Sequence, residues 1–494
     1  MVRNGYKWAI LSALITGMFS SGNVLAAEIT DVLDAADQVY LDDELVDDVF
    51  DIALSPSFKQ RHEWAKLKRE YADPDTKKTR LLNELEYERV INRFDIDLEI
   101  GLFHDLSFRM NLPIIISDQQ SYKFDTSSDD PLYQITKGGT PTPDGQLMGI
   151  SWFSPKTTDE THPYRFFELD DGEVLKGNDR SGLGDMSFGI AWSPYNTERN
   201  YIPDRPWKDE TGRSTFTLAF DYVAPTGKAR AIDNSDPGSG VHEFQFSVAA
   251  SHRFAFIDPY IGLKLGVPVG TDAFKDYGAN QIRKDPGLWG QIDLGIEFVP
   301  YEALHKDYQR FVKIDLRGYF KYTGEGRTYS ELMDAFGQGT YYVNNASSDI
   351  YTTENGWLAE KWSNAGSNRT DLADRKFEGI DLMEDGMFDY EGYATLGGSL
   401  NLYIQPIQYV RINAGVAVDY AQNHFITFTK IGKDRVTYNE KDGTTSKGKD
   451  GYVTDSLVEE RNPTFSGSLD RVGSRIKRTE SLNLEWFVGL SLMY

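Results

Sequence analysis

The sequence predicts an all-β protein: a transmembrane antiparallel up-and-down β-barrel of about 12 strands with long extracellular loops. Three observations carry that expectation. At the carboxy terminus, Leu482, Leu484, Trp486, Val488, Leu490, Leu492 and Tyr494 alternate with Asn483, Glu485, Gly489 and Ser491. Period-two alternation with large apolar residues on one face describes a strand that meets lipid on one side and a polar interior on the other. At the amino terminus, residues 1–26 read as a signal peptide: Arg3 and Lys7 flank the start of the apolar stretch Trp8 to Phe19, and Val24-Leu25-Ala26 supplies a cleavage site. No later apolar run approaches the roughly 20 residues that a membrane-spanning helix needs.

Composition narrows the class further. The chain has no cysteine, which excludes a disulfide framework, a thiolate metal site and a lipid-modified amino-terminal cysteine. With 76 Asp and Glu against 52 Lys and Arg it repels nucleic acid. Its 28 Tyr, 28 Phe and 9 Trp are enough for interfacial girdles, while the mean hydropathy of −0.49 fits a polar interior and polar loops.

Along the chain the organisation is signal peptide 1–26, an acidic periplasmic leader 27–48, and an outer-membrane barrel 49–494. The first strand is expected within 49–67. The second, 85–102, sets Phe94, Ile96, Leu98, Ile100 and Leu102 against Asp95, Asp97, Glu99 and Gly101. Phe103-His104-Asp105 is a tight connection to a third strand that offers Leu106, Phe108, Met110, Leu112, Ile114 and Ile116 to lipid. Further strands are expected at 183–194, 213–225, 241–256, 258–270, 287–300, 310–323, 391–405, 408–429 and 478–494. An even number puts both termini in the periplasm. The connections then sort by length, with 125–182, 324–390 and 430–477 as long external loops and most of the periplasmic turns short.

The register assigns Asp95, Asp97, Glu99, Arg109, Glu243, Arg253, Lys264, Asp293, Glu297, Lys313, Asp315, Arg317, Lys321, Arg411, Asp419 and Glu485 to the lumen wall. Two arrangements suit such a set. The charges can form a hydrogen-bonded ladder that replaces an apolar core, or acids and bases can segregate on opposite walls and select permeant charge. No catalytic or cofactor constellation emerges, since the seven histidines are scattered. His242 and His252 share a strand but stand roughly 33 Å apart at strand rise. Ser251, beside His252, faces the other way, so no Ser-His pair arises there. The loop clusters Asp129-Asp130, Asp159-Glu160 and Glu168-Leu169-Asp170-Asp171-Gly172-Glu173 match no calcium-loop spacing and read as solvated surface.

Several segments resemble a family of outer-membrane transporters typified by proteins of the meta-cleavage phenol-degradation pathway. They are Gly101-Leu102-Phe103-His104-Asp105-Leu106-Ser107-Phe108-Arg109 with Leu112-Pro113, then Ser181-Gly182-Leu183-Gly184-Asp185-Met186-Ser187-Phe188-Gly189, then Ala224-Pro225-Thr226-Gly227. Physically, Gly182 and Gly184 permit a sharp strand entry and Asp185 can accept backbone hydrogen bonds at the rim. No helix follows, as a phosphate loop would require. The resemblance implies a monomeric outer-membrane channel for passive passage of small solutes, hydrophobic or aromatic ones among them. Its surroundings would be outer-membrane lipid and lipopolysaccharide, and barrel-assembly machinery would insert it. The alternative is a non-transporting barrel whose long external loops act as an adhesion or surface-interaction platform.

Overall fold

The computed structural model describes Thr30; 52–72, 76 and 78–103; 105–125; 153–155, 167–169 and 175–176; 179–197; 213–231 and 234–271; 285–305 and 308–330; Leu332; 387–407 and 409–430; 438–439 and 444–445; and 469–493 except 471 and 474. Residues 1–51 apart from Thr30, and with them the expected signal peptide and leader, most of the three long loops and Tyr494 lie outside the described residues.

Twelve long strands form one antiparallel sheet: β1 Ile52–Ala72, β2 Thr79–Phe103, β3 Leu106–Phe124, β4 Ser187–Asn196, β5 Arg213–Val223, β6 Val241–Arg253, β7 Ile257–Gly270, β8 Trp289–His305, β9 Tyr308–Thr323, β10 Tyr393–Ile407, β11 Val410–Ala421 and β12 Ile476–Met493. Each pairs with its sequence neighbour. β1 pairs with β12 from Ala53↔Met493 to Arg69↔Ile476, so the sheet closes. Closure removes both edges, which is what lets a sheet cross lipid with its backbone groups satisfied. The expected strands are all present. The first two run further outward than expected, because the short connection at 73–78 lets their pairing continue to Ala72↔Thr79. The eleventh ends sooner, at Ala421, and after a break at 422–423 the chain pairs with β12 again at His424↔Arg478 and Phe425↔Lys477.

Side-chain alternation divides the two faces cleanly. Leu490, Val488 and Trp486 face outward, while Ser491 and Asn483 are buried on the inside. Leu294 and Leu396 are 57% and 65% exposed, whereas Asp293 and Asp315 are wholly buried. An interior of carboxylates beneath an exterior of leucines is the inverse of a water-soluble fold, and it suits a barrel in lipid.

A chain of side-chain hydrogen bonds marks the outer boundary of the apolar band. The Trp486 indole N–H donates to Gln60 Oε1 at 2.9 Å, Gln60 Nε2 to Asn92 Oδ1 at 2.8 Å, and Asn92 Nδ2 to Ser117 Oγ at 2.8 Å, crossing β12, β1, β2 and β3. Towards the periplasm from this belt lie Phe58, Phe94 and Val488. Beyond it come His62 with Glu88 at 2.7 Å and Lys66 with Asp125 at 2.8 Å. An indole with its ring towards lipid and its N–H on polar groups is an interfacial anchor. β1, β2 and β3 therefore rise past the bilayer as a polar wall.

β3 changes partner partway along. Leu106–Asn111 pair with β4, but Ile114, Ile115 and Asp118 pair with the short strand Arg180–Leu183. The chain breaks at 184–186, where Gly184 donates its amide to the Pro113 carbonyl at 2.9 Å. Pro113 has no N–H to return the bond, so the ladder cannot continue through that point.

Because Leu490 faces lipid four residues below Trp486 in the belt, Leu490→Arg should destabilise the folded barrel by roughly 2 to 4 kcal/mol, the cost of a charge near midplane. Gln119→Arg, on the same exterior face but above the belt, should fold like the parent. Folding into vesicles across a urea series, read by heat-modifiable gel migration, checks this; equal midpoints for the two variants would contradict the boundary.

Candidate functional site

Each lumen candidate read from the sequence is buried or half-buried in the barrel wall. Asp95, Glu99, Arg253, Asp293, Glu297, Lys313, Asp315, Arg317, Arg411 and Asp419 are buried; Asp97, Arg109, Glu243, Lys264, Lys321 and Glu485 are half-buried. Bases and acids interleave along the wall instead of segregating to opposite sides. On β1 and β2, Lys59 and Arg93 meet Asp95 at 2.8 and 2.9 Å. Arg61 lies 2.8 Å from Glu63 and 3.7 Å from both Asp419 and Glu485. Arg109 reaches Asp221 at 3.2 Å, and Arg253 forms a fork with Glu302 at 2.8 and 2.7 Å.

The far wall is organised around Asp315. Tyr260 donates its hydroxyl to Asp315 Oδ1 at 2.6 Å, while Arg317 donates to the Tyr260 oxygen at 2.7 Å and to Asp315 Oδ2 at 3.1 Å. Asn401 Nδ2 adds a bond to Asp315 at 2.9 Å. Lys313 approaches Glu297 at 3.7 Å and Lys264 approaches Asp293 at 3.9 Å. Neutral partners complete the rest: Ser107 donates to Glu99, Asn111 to Asp97, Gln245 to Glu243, and Arg411 to Gln405.

Rings fill the space left by glycines. A Cβ at Gly295 would overlap the Tyr260 ring, one at Gly266 the Trp289 indole, and one at Gly415 the Phe487 ring. Near the periplasmic end Phe311 lies wholly buried between Arg411 at 5.2 Å and Lys313 at 5.1 Å. There too Thr30 enters the interior. Its carbonyl accepts from Thr217 Oγ1 at 2.5 Å and Ser193 Oγ at 3.4 Å, and its hydroxyl meets Ser251 Oγ at 3.0 Å. Ser193, Thr217 and Ser251 belong to β4, β5 and β6, so three inward hydroxyls seat one residue of the leader.

At the external end, loop bases are tied to the rim. Asp185 accepts from the Gly227 amide at 3.0 Å, the Ser239 amide at 2.7 Å and the Ser239 hydroxyl at 2.6 Å, the rim role expected of it. Arg180 is wholly buried and donates to the carbonyls of Asn234, Asp236 and Ala231 while lying 5.0 Å from the Tyr329 ring. Tyr390, on the short strand Met387–Tyr390, accepts the Gly287 amide at 2.8 Å, and burial holds its phenol above the ordinary tyrosine range. Arg89 and Arg230 share Asp118 at 2.5 and 3.1 Å.

Sequence reading missed Lys59, Arg61, Glu63, Arg89 and Asp118. On β1 the run Lys59-Gln60-Arg61-His62-Glu63 is polar on both faces, so parity carries no signal there. Asp118 follows a register shift between Asn92 and Arg93. The exterior holds one Ser-His contact that parity did not suggest, Ser214 Oγ to His252 Nδ1 at 2.5 Å. The Ser214 amide is already committed to Thr197 Oγ1, and no carboxylate completes a triad among the described residues. Nor do they hold a group of three or more residues suited to a metal ion. The acidic clusters at 129–130, 159–160 and 168–173, and the loop aromatics from Phe336 to Trp362, fall outside the residues whose side chains are described.

The family model described as "Putative MetA-pathway of phenol degradation" matches residues 119–331, from the outer half of β3 through β9. Two of the three resembling segments, 181–189 and 224–227, fall inside that match. Among solved structures, the COG4313 outer membrane channel from Pseudomonas putida F1 is similar at 8% identity and a TM-score of 0.37, covering 89% of this chain and 95% of that one. The outer membrane protease OmpT from Escherichia coli gives 10% and 0.27, covering 90% and 97%, and a Pseudomonas aeruginosa FadL homologue 7% and 0.27, covering 93% and 92%. Similarity this loose transfers no residue roles. No curated protein matches the chain.

Tyr260→Phe removes the hydroxyl that links Arg317 to Asp315. Leaving those buried groups short of a partner should cost about 1 to 3 kcal/mol, read as a lower urea midpoint for the barrel in vesicles; an unchanged midpoint would show the triad to be energetically idle. A cysteine pair at Thr30 and Ser251, in a chain with no native cysteine, should oxidise to a disulfide in the folded barrel. Failure to cross-link would place Thr30 elsewhere.

Proposed function

We propose that this outer-membrane β-barrel is a monomeric, non-enzymatic channel for passive passage of small molecules. The carrying observation is the interior wall, a continuous polar lining in which most ionised groups hold an ion-pair or hydrogen-bond partner close by. Such a wall lets water and polar solutes approach without presenting uncompensated charges of either sign over long stretches. The sixteen lumen candidates would then line the path, with Phe311, Arg411 and the Thr30 seat forming its narrow periplasmic end. Resemblance to a family named for phenol degradation supports small aromatic compounds among the solutes. The loop aromatics between 330 and 385 supply apolar faces on which such a solute sheds water before entry.

Purified protein reconstituted into planar bilayers should give discrete conductance steps smaller than those of porins with 16 to 18 strands. Deleting 330–385 should leave barrel assembly intact and change the relative uptake of aromatic and aliphatic solutes in whole cells. A folded, inserted barrel that never conducts, together with unchanged uptake in a strain lacking it, would favour the surface-platform reading.

A further inference from the structure

Lys321 departs from the pairing rule of the interior. Lys59, Lys264 and Lys313 each have a carboxylate at 2.8, 3.9 and 3.7 Å. Lys321 is half-buried on the inner face of β9, and no carboxylate lies within ion-pair distance of it among the described residues. Its ammonium sits 4.2 Å from the centroid of the Trp289 ring. The charges that act on it from surrounding strands are Glu243, Arg61, Asp419 and Lys264, none in contact. A cation on an indole face is held in position, but its ammonium hydrogens directed away from the ring still lack an acceptor of opposite charge.

A single hydrogen-bonded row across the wall runs Ser247, Lys264, Gln291, Lys321, Thr395, Ala421 from β6 to β11. The row towards the mouth holds Gln245, Gly266, Trp289, Thr323 and Tyr393; the row towards the periplasm holds Gly262, Asp293, Tyr319, Gly397 and Asp419. Asp293 is wholly buried beneath the row and takes Lys264 and Gln291, so it makes no ion-pair contact with Lys321.

We propose that Lys321 and Trp289 form an anion site on the lumen wall that receives the carboxylate of a small organic acid. The proposal rests on the channel reading for access to the lumen. One ammonium matches one negative charge, and the indole ring beside it favours an anion with an apolar body over chloride. Glu243, two interior rows nearer the mouth, is hydrogen-bonded to Gln245 and attracts Lys321 without an ion-pair contact.

The test measures binding separately from conduction. Refolded full-length barrel in detergent is titrated calorimetrically with sodium benzoate, cyclohexanecarboxylate and acetate at constant chloride. Benzoate and cyclohexanecarboxylate should bind saturably and at least several-fold more tightly than acetate. Lys321→Met should weaken benzoate at least tenfold. Gly266→Ala, which displaces the indole, should also weaken it, and Lys68→Met on the exterior should leave it unchanged. Benzoate binding that is equal in Lys321→Met and the parent overturns the site, as does folded parent protein that conducts but binds none of the three acids. If Lys321→Met does not fold, the parent titration and Gly266→Ala decide the question. Binding through Lys321 in a barrel that never conducts would uphold the site and overturn the channel reading instead.

Discussion

The pairing of β1 with β12 is the constraint on which the rest of the structure depends. Until Ala53 meets Met493 and Arg69 meets Ile476, the sheet has two edges whose amides and carbonyls lipid cannot satisfy. Once they meet, backbone hydrogen bonding is complete within the wall and every side chain is assigned to lipid or to the interior. The last strand must therefore be regular, and it is the segment in which apolar and polar residues alternate most faithfully. β1 can be less regular, because β2 pairs with it along its 21 residues and β12 templates it from the other side between Ala53 and Arg69.

Closure in turn dictates the chemistry of the interior. A barrel this narrow cannot leave carboxylates and guanidinium groups unpartnered, since each buried unpaired charge costs several kcal/mol. The wall answers with short local circuits, such as Asp315 with Tyr260, Arg317 and Asn401, instead of long-range fields. Glycines on neighbouring strands give the rings somewhere to lie: Tyr260 over Gly295 is held flat against the wall, which is what puts its hydroxyl between Arg317 and Asp315. The glycines are thus part of the polar network although they contribute no polar side chain.

Much of this was legible in the sequence because period-two alternation is set by geometry that lipid enforces. Strand number, direction, the long and short connections, and the inward placement of Asp293, Asp315, Lys321 and Glu485 all follow from parity. Pairing partners do not, because which residues of two strands stand opposite depends on bulges such as those at Asn92/Arg93 and Phe298/Tyr301. Each bulge shifts the register without a strong local signal. The upper parts of β1 and β2 were also illegible, since above the Trp486 belt both faces meet polar surroundings and alternation loses its cause. The entry of Thr30 into the interior has no sequence signal at all: a single threonine finds three hydroxyls contributed by β4, β5 and β6.

A wall whose charges cancel pairwise has a further property. Dipolar pairs lose their influence within a few ångströms, whereas a single uncompensated charge in a space walled by low-dielectric material is felt much further. The interior can therefore carry many ionised groups and still have its local field set by the few that lack an ion-pair contact. In the outer half of the lumen those include Lys321, held on the Trp289 ring, and Glu243, whose hydrogen bond comes from the neutral Gln245.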